Sequence, residues 1–160
     1  MSRDSFRNLG LLFLRLTAGV FLMSHGAQKV GKIVDGSIYA PDFQFWPDLG
    51  LGPQRAFMGL AASEFLFAGL VVIGLATRLA ALPVVFSMCV AAFVFHAQAG
   101  QTPFNEGEKA LLYAIIFSTL VMTGAGRYSV DGAIGRWRQN RKHVIPGRTE
   151  SGRRVALKPA

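Results

Sequence analysis

Apolar residues fall into four long blocks along this chain, at 9–24, 57–75, 79–98 and 109–123, separated by polar or turn-forming stretches. The ~10-residue alternation of barrel strands is absent from these blocks. Each block is roughly 16–20 residues, and about 20 residues at ~1.5 Å rise cross a ~30 Å hydrocarbon core. Inside lipid only helices and closed barrels satisfy every backbone N–H and C=O. The pattern therefore predicts an all-α fold, an antiparallel bundle of four transmembrane helices. Their expected positions are about 9–26, 55–76, 79–98 and 108–124, within a membrane domain over 1–132, followed by a flexible basic cytoplasmic tail over 133–160.

Turn chemistry sets the expected boundaries. Gly26 is read as the stop of the first helix. The loop from 27 to 55 carries Asp35-Gly36, Pro41-Asp42, Trp46-Pro47-Asp48 and Gly52-Pro53, together with interface-type aromatics Phe43, Phe45 and Trp46. Pro53 suits a helix's first turn, and Pro83 is placed near the first turn of the third helix, where it is tolerated. Ala76-Thr77-Arg78 links the second and third helices tightly. Glu108 opens the last helix, where an acid favours the macrodipole.

Composition agrees with this assignment. Apolar residues make up 51% of the chain and charged residues only 16%, against about 25% charged in soluble domains. The net charge of +8 is concentrated at one end: residues 125–160 hold nine Lys/Arg against two acids, a net of +7. A basic tail after an apolar span is a positive-inside anchor that contacts anionic lipid, and this location argues against nucleic acid as a partner. Arg3, Arg7 and Arg78 fall on the same side as the tail, so both termini are expected in the cytoplasm of a bacterial inner membrane. The N-terminal block resembles a signal peptide, but Arg15 interrupts it and His25 sits where cleavage wants a small residue, so it is read as an uncleaved first helix. The single cysteine, Cys89, forms neither an internal disulfide nor a CxxC redox pair.

An ionisable residue inside a span needs a partner or a use. Counted from the expected helix ends, Arg15 lies about 9 Å deep and Glu64 about 16 Å deep, a separation an extended Arg spans. A structural Arg15–Glu64 ion pair is expected, with a proton or ligand site at Glu64 and simple snorkelling of Arg15 as the alternatives. On the outer side, His25 and His96 reach one level by the same count, with Lys29, Glu106, Glu108 and Lys109 nearby. His25, Lys29, Glu64, His96 and Glu108 are thus the candidates for ligand binding or proton transfer. Two His and a carboxylate also suit a metal, although no close-spaced ligand motif links them, and each His reads first as an interfacial polar residue.

The combination of Leu14-Arg15-Leu16, His25-Gly26, Lys29, Glu64-Phe65-Leu66, Thr77-Arg78-Leu79, Asn105-Glu106-Gly107-Glu108-Lys109 and Gly124-Ala125-Gly126-Arg127-Tyr128-Ser129-Val130-Asp131 resembles the DoxX family of small bacterial membrane proteins. The resemblance covers roughly residues 9–132. It implies a four-helix membrane bundle, with Arg15, Glu64 and Glu108 at the family's polar positions. Among the relatives it suggests are the small subunit of a thiosulfate:quinone oxidoreductase and a membrane partner of superoxide dismutase and a sulfurtransferase. The function expected here is an anchor or subunit of a redox, sulfur-oxidation or oxidative-stress system, with an outer pocket for a quinone or small reductant and a redox enzyme as partner. The alternative is a non-enzymatic scaffold or small transporter using a buried Arg–Glu pair. No redox cofactor motif stands in the chain, so catalysis by the chain alone is not assigned.

Overall fold

The computed structural model describes residues 3–45, 49–95, 104 and 107–143, and all regular structure among them is helical. Helix α1 spans Arg3–Val34 and is followed by a short 3-10 turn at Ser37–Tyr39. Helix α2 runs Pro53–Ile73 with a π-helical turn at Ser63–Phe67. Helix α3 runs Thr77–Phe95 and ends in a second π turn at Ala91–Phe95. Helix α4 is Glu108–Thr123, and α5 is Val130–His143. Helices α1, α2 and α3 are long and apolar enough to cross a membrane, while α4 has 16 residues.

The first helix is 32 residues, about 48 Å, and continues past the expected stop at Gly26. The reason is a helix crossing. A Cβ placed on Gly26 would lie 2.6 Å from the Phe65 backbone N and 2.7 Å from the Glu64 carbonyl carbon, so the missing side chain lets α2 touch α1. Gly19 likewise faces Val72, and Gly69 faces the Met23 thioether. Residues 15, 18, 19, 22 and 26 form the buried stripe of α1, one face at helical spacing. The pairing of 26 with 64–65, 19 with 72 and 15 with 74 makes α1 and α2 antiparallel. Without a hydrophobic drive between helices in lipid, such small-residue packing is what holds them together.

Gly74 closes α2 at φ +74, and Ala76 turns the chain at φ +47 into α3. Pro83 sits further into α3 than expected, because the helix begins at Thr77. Helix α4 packs along α3, and Phe117, Leu120, Val71, Val84, Ala81 and Leu22 are central to the buried core. Phe13, Phe21, Leu79 and Met122 point outward and are exposed, as lipid-facing residues are.

The end of the bundle that holds the N-terminus is laced by polar groups. Asp131 accepts hydrogen bonds from the Ala76 and Thr77 N–H groups at 2.8 and 3.0 Å, capping α3 from a distant segment. Its own N–H donates to Gly74 O at 2.9 Å. The Arg127 N–H donates to Asn8 Oδ1 at 2.8 Å. The Ser129 hydroxyl accepts from Gly132 N–H at 3.0 Å and so caps α5, a helix absent from the elements expected within the basic tail.

Candidate functional site

A cavity of about 420 Å³ opens between α2 and α3 at the pole away from the N-terminus. Most of its wall is apolar, including Leu60, Phe86, Val90 and Phe95, and Gly59 leaves room at the helix surface. The loop after α1 covers it: Phe45 lines the cavity, and Phe43 and Phe45 both meet Phe57 edge-on at 5.5 and 5.3 Å between centroids. That geometry suits the aromatic quadrupole and pins the loop over the opening.

The polar part of the wall is small and organised. Lys29 Nζ lies 2.5 Å from Glu64 Oε2, and both side chains line the cavity. Glu64 is 5% exposed. Beside it the Ser63 hydroxyl donates to the Ser87 Oγ at 2.8 Å, and the Ser87 hydroxyl lies 3.0 Å from Val84 O. The π turn at 63–67 carries the consecutive buried residues Ser63 and Glu64, and such turns recur at functional sites. The second π turn, at 91–95, borders the same cavity through Ala91 and Phe95. Arg55 lines the cavity from the start of α2.

The expected Arg15–Glu64 pair does not form. Glu64 is level with Gly26, and Arg15 is eleven residues earlier on α1, about 16 Å along the axis. The end of α2 is level with Arg15 rather than with Leu9, which lowers Arg15 by about six residues relative to Glu64, and the helix continues past Gly26 to bring in Lys29. In the structure Lys29 lies one turn beyond Gly26, on the face that meets α2. Arg15 instead reaches the opposite pole, fully buried, where its Nη2 donates to Tyr128 O at 2.6 Å beside Gly74.

Two family models match this chain. The model described as DoxX matches residues 10–97, and that described as TQO small subunit DoxD matches residues 55–146. The chain belongs to the DoxX family. The DoxX match takes in both Lys29 and Glu64, and the DoxD match takes in the α2–α3 cavity wall and α5. An uncharacterized protein of Haemophilus influenzae is 30% identical over 134 residues, covering 80% of this chain and 92% of its own length. A second uncharacterized protein of that organism is 34% identical over 73 residues, 45% of this chain and 48% of its own. No solved structure matches.

In this DoxX protein His25 and Glu108 do not line the cavity that holds the pair. His25 is exposed and lines a separate groove of about 330 Å³ between α1 and α4, with Lys109 and Tyr113. Glu108 is exposed at the start of α4. His96 and Glu106 lie outside the described residues. Among the described residues no three His, Cys, Asp or Glu side chains gather as a metal site. Ser63, Ser87 and Arg55 were not singled out as site residues from the sequence. The signal available was the small polar residue beside Glu64 in an apolar run, and a serine at 87 in the next.

Proposed function

We propose that this DoxX protein is the membrane subunit of a quinone-linked redox system, and that the α2–α3 cavity receives the headgroup of a quinone or small reductant. The observation that carries the reading is a buried carboxylate paired with a partly buried ammonium in the wall of a mostly apolar cavity. A quinone has two carbonyl oxygens on an apolar ring. The Lys29 ammonium and a serine hydroxyl are donors for such an oxygen, Glu64 is a proton acceptor for the quinol form, and the Phe and Leu walls suit the ring. Electrons would come from a partner enzyme, consistent with the DoxD description of a small subunit. His25 and Glu108, outside the cavity, receive no role in this reading.

The same reading takes all four helices α1–α4 as spans, with both termini on the cytoplasmic side of a bacterial inner membrane. The supports are the Lys/Arg excess beyond residue 125 and the apolar, 16-residue α4, about 24 Å long. The test is extraction of the detergent-purified protein, with quinone measured by chromatography and metal content on the same sample. Stoichiometric quinone in the wild type, reduced at least tenfold in Lys29→Met and in Glu64→Gln while the folded yield is kept, supports the proposal. No quinone in the wild type, together with unchanged quinone reduction by membranes carrying either variant, overturns it in favour of a scaffold.

A further inference from the structure

Helix α5 carries a pattern that the cavity does not use. Val130, Ile134 and Trp137 recur at spacings of four and three, so they lie on one face. None is covered by the bundle: they are 39%, 39% and 55% exposed. Arg136 and Arg138 flank this strip at one residue either side of Trp137, and the Arg141 guanidinium stacks over the Trp137 ring at 3.9 Å. The mean character of the helix is strongly polar, so an apolar strip framed by cations is its one organised feature.

The helix is also fixed in place. Its first turn is tied to the α2–α3 turn through Asp131 and capped by Ser129, and Arg136 Nη1 donates to Arg127 O at 2.9 Å. It begins seven residues after α4 ends at Thr123, at the pole where α2 gives way to α3. The apolar exteriors of α1 and α3 end at this same pole, so α5 starts at the rim of a lipid-facing surface. A short amphipathic helix at that level, with an aromatic ring and cations on one side, has the chemistry of a membrane interface.

We propose that α5 is an interfacial helix that docks on an anionic lipid surface beside the bundle, with Val130, Ile134 and Trp137 set into the headgroup–acyl boundary and Arg138 and Arg141 on the phosphates. The occupant of the exposed strip is lipid rather than another protein, because the strip is narrow, continuous with the lipid-facing bundle exterior and framed by positive charge. The docking selects lipid of net negative charge. It does not depend on a ligand in the α2–α3 cavity.

The test uses the full chain in lipid nanodiscs on a Trp46→Phe background, which leaves Trp137 as the sole tryptophan. Discs of phosphatidylcholine are compared with discs containing phosphatidylglycerol. The expected result is a blue-shifted Trp137 emission in the anionic discs, quenched by lipids brominated near the top of the acyl chain. Arg138→Gln with Arg141→Gln, both on exposed side chains, should weaken the anionic-lipid effect at least twofold while the helix content is unchanged. A water-like emission in both discs overturns the proposal, and so does equal quenching in both, which removes the charge selection. A shift that follows protein concentration rather than lipid composition assigns the strip to a second copy and also overturns it.

Discussion

Removing the ammonium of Lys29 tests the central geometry most directly. Its Nζ lies 2.5 Å from Glu64 Oε2, and the two side chains are 25% and 6% exposed. Lys29→Met leaves the Glu64 carboxylate buried without its counter-charge. Breaking a buried pair from one side costs about 3–5 kcal/mol, whereas replacing both members by apolar residues is often neutral or stabilising. The expected cycle is therefore a loss of about 3 kcal/mol for Lys29→Met, a loss of about 1 kcal/mol for Glu64→Leu, whose partly exposed Lys29 partner can turn to water, and no further loss when Lys29→Met is added to Glu64→Leu. The coupling should be about 2–3 kcal/mol, at the upper end for groups in direct contact. The parallel cycle of Arg15→Met with Glu64→Leu should be additive within about 0.5 kcal/mol, since about 16 Å of helix separates their levels. The assay is reversible unfolding in mixed micelles, followed by circular dichroism as the denaturing detergent fraction rises. Strong coupling of Arg15 to Glu64, with none between Lys29 and Glu64, would refute the helix pairing and with it the assembly of the cavity wall.

Gly26→Ala places a methyl against the α2 backbone, so the helices must separate; a cost of about 1–3 kcal/mol is expected in the same unfolding assay, along with a weaker Lys29–Glu64 coupling. Gly74→Ala forces an L side chain into the left-handed region and onto the Arg15 guanidinium, and should lower stability by more than the ~1 kcal/mol of the backbone term alone. Asp131→Ala removes the acceptor of two backbone N–H groups at the start of α3, and a loss of about 1–2 kcal/mol should appear together with faster amide exchange at Ala76 and Thr77. Beyond the end of α1, the Ser37 N–H donates to the Asp35 carboxylate and holds it below the usual carboxylate range. Its contribution is therefore present above that range and lost as pH falls through the lowered value, which a pH titration of the Ser37 amide resonance follows.

The blocks of apolar residues determined the class of this protein. Long helical runs with few charges have one economical environment, and the order of polar residues between them was specific enough to indicate the family. The existence of Arg15 and Glu64 inside those runs was equally legible, because an ionisable group in an apolar span is conspicuous against its neighbours. What the sequence could not rank was the partner of each. Gly26 reads locally as a helix stop, since glycine lacks a Cβ and favours chain reversal; only the approach of α2 shows that the same missing Cβ serves a crossing. That single difference carries α1 onward and places Lys29 at Glu64, while the level of α2 against α1 sets Arg15 at the far pole. Likewise, Asp131 caps a helix that begins 54 residues earlier, and Ser63 meets Ser87 across two helices. Local propensity and periodicity are properties of neighbouring residues and can be read along the chain. Charge pairing, distant caps and a cavity between helices depend on the rotation and level of one helix against another, and these are decided by packing.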